Sequence, residues 1–193
     1  MRKTIVFLLS LVIVLTTAAC GKTEYKPVAI DEAVDKCPIC NMAVADDQFA
    51  TEIILTNHKA LKFDDLGDLF VWKSQNGTKD IGEQFVRDYH TKEWIKLTDA
   101  FYVYDESIRT PMAYNVISFK EKTDAEAFVT SAGTGEVWDA RKLDEHHWQR
   151  NEAMMKHMMQ QHAEKMTGGM EMGGHEESEE QHKPMDMTDT KAE

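Results

Sequence analysis

The sequence predicts an α+β protein of two tandem ββαβ units packed together, followed by a C-terminal helix and a disordered Met/His-rich tail. Three observations carry this. Short β-branched or aromatic runs parted by turn residues occur twice in the same order. Each pair of runs precedes a stretch of helical period, and branched aliphatic residues cease after Leu143. In the first unit (36–98), Thr51-Glu-Ile-Ile-Leu-Thr56 reads as a strand, Asn57-His58-Lys59 as a turn and Ala60-Leu-Lys-Phe63 as the partner strand. Asp64 or Asp65 caps a helix with Leu66, Leu69, Phe70 and Lys73 at i, i+3, i+4 and i+7, ended by Asn76-Gly77. Residues 84–90 supply the last strand. In the second unit (99–143), residues 101–104 and 113–119 read as strands. Thr123-Asp124 caps a helix with Ala125, Phe128 and Val129 that ends near Gly133, and Val137-Trp138 closes the unit.

Residues 1–19 have the layout of a secretory leader. Arg2 and Lys3 form a positive start, Ile5 to Leu15 is apolar except for Ser10, and Thr17-Ala18-Ala19 puts small residues before Cys20. The apolar run is shorter than the roughly 20 residues a membrane-spanning helix needs. A cysteine directly after small residues resembles the bacterial lipobox. The expectation is therefore an acylated Cys20, tethering the chain to the extracytoplasmic face of the bacterial cell membrane. Residues 20–35, poor in large apolar side chains, read as its linker. Three cysteines then become one anchor and one pair.

A net charge of −12, with no cluster of Lys and Arg, excludes nucleic acid as a partner. No G-x-S-x-G, Walker A or H-E-x-x-H motif occurs, so the chain is not expected to be an enzyme.

The chemistry concentrates in Cys37-Pro38-Ile39-Cys40-Asn41-Met42, where two thiols and a thioether fall within six residues. Such soft donors select Cu(I) over hard cations. Thr110-Pro111-Met112 offers a stiff loop that would close the site with a thioether from the second unit. A thioredoxin-like motif would open a helix after a buried strand, whereas Ala43-Val-Ala-Asp-Asp47 follows here, and a zinc knuckle would want a second Cys or His pair. A structural Cys37–Cys40 disulfide is the plain alternative outside the cell, and oxidation would bar metal. His58 and His90 stand alone as turn and strand residues. His146-His147 is a candidate lid, or a pair that supports the ligands from behind.

From about Asp144 the composition changes, and nine of the twelve Met residues lie beyond position 150. Met155, Met158, Met159, His162 and Met166 share one face of a helix expected over 144–166, without the branched aliphatics of a core helix. Gly168 to His175 and Pro184 to Met187 continue as Met/His/Gly segments. Residues 154–187 read as a scavenging arm of low copper affinity, and Glu176 to Glu180 as a solvated acidic run.

Taken in order, Cys37-Pro-Ile-Cys-Asn-Met42, Phe63-Asp64-Asp65, Glu93-Trp94, Ala100-Phe-Tyr-Val103, Pro111-Met112 and Asp124-Ala-Glu-Ala-Phe128 resemble the NosL family. The resemblance spans about Lys36 to Asp139. It implies two ββαβ units binding one Cu(I), a membrane anchor and a role in maturing nitrous oxide reductase. Some members keep only the equivalent of Cys40-x-Met42, which makes that the central ligand pair. The chain departs from the family pattern at Ala113, where Gly often follows Pro-Met, and in its long tail.

The expected function is that of an anchored Cu(I) metallochaperone, with Cys40 and Met42 as ligands, Met112 closing the site and Cys37 as a fourth or exchange ligand. The alternatives are a thiol-disulfide protein that prepares a partner's copper site, and a copper buffer centred on the tail.

Overall fold

The computed structural model describes residues 23–168, without the side chains of 162 and 165–168. Cys20 with its leader, the tail after 168, and the side chains of His162 and Met166 lie outside the described residues. The β-branched run at Thr51 forms β1 (Thr51–Leu55), which pairs antiparallel with β2 (Ala60–Phe63) across a turn where His58 is left-handed (φ 65°). On its other edge β1 pairs with β3 (Ile81–Arg87), and β3 with β4 (Trp94–Lys96), giving the order β2-β1-β3-β4. Helix α1 (Leu66–Asn76) leaves β2 directly, because the Asp65 carboxylate caps it by accepting the Gly67 N–H at 3.1 Å.

The second unit repeats the plan. β5 (Phe101–Tyr104) lies between β6 (Val116–Phe119) and β7 (Glu136–Trp138), all antiparallel, and α2 (Lys122–Ala132) joins β6 to β7, ending on Gly133 at φ 75°. One buried cluster runs through both units, from Ile53, Phe63 and Leu69 to Tyr102, Val116 and Leu143. A smaller one, around Val103, Ile117, Phe119 and Ala125, lies where α2 packs on its own sheet. The two ββαβ units share a core.

Four differences from expectation have a local reason. The strand expected over 84–90 is β3 and stops at Arg87, because the Asp88 carboxylate accepts the N–H groups of His90 and Thr91 and turns the chain. That places His90 in a turn, where its ring meets Phe119 at 5.4 Å. The chain then returns as β4, a three-residue strand too short for any periodic signal. β6 begins at Val116 rather than 113, because Ala113 and Asn115 have φ of 58° and 65°. The helix expected over 144–166 is two: α3 (Ala140–Glu145) and α4 (Glu152–Gly168), the latter capped by the Asn151 side chain on the Met154 N–H. The chain divides into one compact unit ending at Met155 and another from Lys156. Along α4, Met155 and Met158 are half-buried and Met159 is exposed. No helix among the described residues is long and apolar enough to cross a membrane.

The fourth difference is the segment read as a linker, which is docked. The Val28 N–H donates to Glu52 Oε2 at 2.9 Å, and Lys62 Nζ donates to the Ala29 carbonyl and to Asp35 Oδ2. Tyr25 lies so close over Gly82 that a β-carbon there would meet its ring at 2.5 Å. Glu52 is fully buried under this arm with Oε1 unpartnered, and burial raises its pKa from 4.5 to about 7 against the pull of the Val28 N–H and Lys62. A carboxyl raised on folding contributes stability that is present below its unfolded pKa and is lost as pH rises through its folded one. The native state should therefore lose at most about 3 kcal/mol between pH 4.5 and pH 7 through this group. Glu52→Gln should flatten that part of the pH–stability curve in urea melts, and an unaltered curve would clear Glu52 of the role.

Candidate metal centre

Cys37 to Met42 folds as a tight knuckle. The Cys37 N–H donates to the Met42 carbonyl and the Asn41 N–H to the Cys37 carbonyl, both at 2.9 Å, and Lys36 and Ala43 form a β-bridge behind them. Pro38 fixes φ early in the turn, and Asn41 takes the left-handed conformation (φ 61°) that its residue type tolerates. The backbone N–H groups of Ile39 and Cys40 point to Cys37 Sγ, and that of Met42 to Cys40 Sγ.

The knuckle faces the start of α1. The Cys37 thiol donates to Asp68 Oδ2 at 3.2 Å and the Cys40 thiol to Asp64 Oδ1 at 3.2 Å. One ligand atom from each of Cys37, Cys40, Asp64 and Asp68 falls within 4.8 Å of the others. Both cysteines are free thiols. Burial raises both thiol pKa values, that of Cys40 to about 12, and the neighbouring carboxylates push the same way against the backbone N–H groups. Burial likewise raises Asp64. Without a cation the site holds its protons on sulfur. A cation that displaces them finds two thiolates, with carboxylate acceptors already in contact.

Asp65 ties the second unit to this point. Besides capping α1 it accepts the Thr110 hydroxyl at 2.6 Å and the Met112 N–H at 2.9 Å, and burial raises its pKa to about 7 against these donors. Thr110 Oγ1 in turn accepts the N–H groups of Tyr114 and Asn115, which shapes the left-handed turn at Ala113. Met112 is buried at 4% exposure and Met42 stands 49% exposed on the knuckle.

A family model described as NosL matches residues 27–148. The chain belongs to the NosL family. The copper-binding lipoprotein NosL of Stutzerimonas stutzeri is 25% identical over 170 residues, spanning 81% of this chain and 88% of the relative. The crystal structure of the copper chaperone NosL from Shewanella denitrificans matches with a TM-score of 0.54 at 23% identity, covering 61% of this chain and 94% of that one. The fold is that of NosL.

Past the end of the NosL match, residues 149–151 carry the chain onward to α4. In the preceding residues Trp148 stacks on Phe70 at 4.4 Å and donates its indole N–H to the Leu143 carbonyl. The Asn151 N–H donates to the Ala113 carbonyl, fastening the segment to the Met112 turn. His146 is packed among Tyr104, Trp138 and Trp148, and burial lowers its pKa. With His147 it lines a cavity of about 310 Å³ that also includes Tyr104, Glu106, Asn115 and Arg150. His58 lies against Tyr25. Sequence reasoning did not place Asp68 or Arg150 at the site. The i, i+4 spacing of Asp64 and Asp68 beside a capped helix start was a readable signal for the first, and nothing local announces the second.

Proposed function

We propose that this chain is a lipid-anchored, extracytoplasmic Cu(I) chaperone that hands copper to a copper enzyme, by family resemblance nitrous oxide reductase. The observation that carries this reading is the pair of free thiols on one knuckle, each with its own carboxylate acceptor. The names of its relatives, a copper-binding lipoprotein and a copper chaperone, support it. The donors suit the cargo, since Cu(I) is satisfied by few, soft ligands. Cys37 and Cys40 bind as thiolates, Met42 and Met112 as thioethers, and Cys20 carries the anchor. Met42, on the exposed side, is the ligand an acceptor can replace, so transfer proceeds by ligand exchange. The raised thiol pKa values weigh against the thiol-disulfide alternative, because thiolate is the nucleophile.

An anaerobic titration of the reduced full chain against a competing Cu(I) chelator is expected to reveal one tight equivalent. Cys40→Ser should weaken it by more than about a hundredfold, beyond what loss of a supporting contact does. A tight equivalent that survives Cys40→Ser would move the function to the Met/His-rich tail. Met42→Leu with Met112→Leu should weaken copper and leave thiol reactivity intact.

A further inference from the structure

Arg150 puts a positive charge beside a site meant for a cation. Its Nη2 lies 3.1 Å from Asp68 Oδ1, while Oδ2 of the same fully buried carboxylate accepts the Cys37 thiol. Its Nε donates to the Tyr114 hydroxyl at 3.3 Å, and the Tyr114 ring is pressed onto Gly67 in the first turn of α1. The guanidinium is thus held one carboxylate away from the two sulfurs, by a residue beyond the matched family region.

We propose that Arg150 sets the selectivity of this site for a monovalent over a divalent cation, an inference that rests on metal binding by Cys37 and Cys40. Two thiolates and two carboxylates within 4.8 Å form a set that suits a tetrahedral divalent ion such as Zn(II) or Co(II). Cu(I) needs only the sulfurs. Arg150 acts against the divalent ion twice. It engages one oxygen of Asp68, drawing charge from a hard donor that Cu(I) does not need. Its charge also opposes any bound cation in proportion to that cation's own charge. Whatever the local dielectric, the factor by which it weakens a 2+ ion is the square of the factor for Cu(I), before the freed carboxylate is counted.

The test compares the full chain, reduced and at one pH, as wild type, Arg150→Gln and Arg150→Lys. Each is paired with a Cys37→Ser/Cys40→Ser version, which subtracts binding by other Met and His side chains. Co(II) is followed by its thiolate-to-cobalt charge-transfer band and Cu(I) by chelator competition. Arg150→Gln is expected to raise Cu(I) affinity about tenfold and Co(II) affinity about a hundredfold, the scale of one unit charge a few ångströms away at a partly solvated site. Arg150→Lys, which keeps the charge, should hold the Co(II)-to-Cu(I) ratio within about twofold of wild type. A folded Arg150→Gln chain with an unchanged ratio overturns the proposal, since a merely structural role would move both metals together. A Lys variant whose ratio shifts further than that overturns it too, and this arm stands by itself should the neutral variant not fold. If the wild type shows neither a thiolate–Co(II) band nor Cys-dependent Cu(I) binding, the reading beneath the proposal falls and takes it along.

Discussion

Gly67→Ala is expected to destabilise the protein by about 3 kcal/mol and to disorganise the candidate metal centre with it. A β-carbon at position 67 would sit 2.0 Å from Tyr114 Cγ and 2.2 and 2.3 Å from its two Cδ atoms. The clash is with the root of the ring, so no tip rotation relieves it, and Tyr114 is buried. Moving the ring drags its hydroxyl from Arg150 and so loosens the cation on Asp68. For a chain of this size the melting temperature should fall by about 10 °C. Gly67→Ala and Tyr114→Ala together should cost less than the sum of the two single changes, because the second removes what the first collides with. Strict additivity of the two changes would show that the contact is not the cause.

Asp65→Asn should cost a similar amount, about 3 kcal/mol, through a different fault. The carboxylate accepts from three donors: the Gly67 N–H, the Thr110 hydroxyl and the Met112 N–H. An amide offers one acceptor oxygen and turns the other position into a donor. Two of the three partners are backbone N–H groups that cannot reverse. Thr110 is bound to its role as well, because its oxygen already accepts from Tyr114 and Asn115. One buried N–H is left facing another donor. The helix start and the Met112 turn should then part, so Cu(I) affinity should fall along with the urea midpoint. A variant with a lowered midpoint and full Cu(I) affinity would remove Met112 from the ligand set.

The two ββαβ units were readable because their strands carry local signals: the β-branched run at Thr51, the aromatic run at Phe101 and the carboxylate cap at Asp65. What escaped depends on partners distant in sequence. β4 exists by its register against β3, Phe85 with Lys96 and Arg87 with Trp94, and has no period of its own. The segment before Cys37 is polar enough to read as a linker, and it is held by backbone groups meeting Glu52 and Lys62, contacts to which composition is blind. The stripe over 144–166 has helical spacing throughout, yet the chain breaks at 146–151, where stacking of Trp148 on Phe70 and the Asn151 cap outweigh local propensity. At the candidate metal centre the knuckle declared its sulfurs. Its oxygens and its counter-cation emerge only once α1 and the segment at Arg150 are folded together.

The docked arm also bears on the proposed lipid anchor. If Cys20 carries the proposed acyl chain, only five peptide steps would separate the lipid from Tyr25, which is fixed over Gly82, so the leash would be at most about 17 Å. The β1–β2 turn at His58, beside Tyr25, would then ride close to the bilayer. Asp64, just past β2, lies at the opposite end of the same hairpin from that turn. Under the proposed function, copper would thus be carried at a set height and would search for its acceptor in two dimensions. An acceptor would have to bring its own port down to that level to be served.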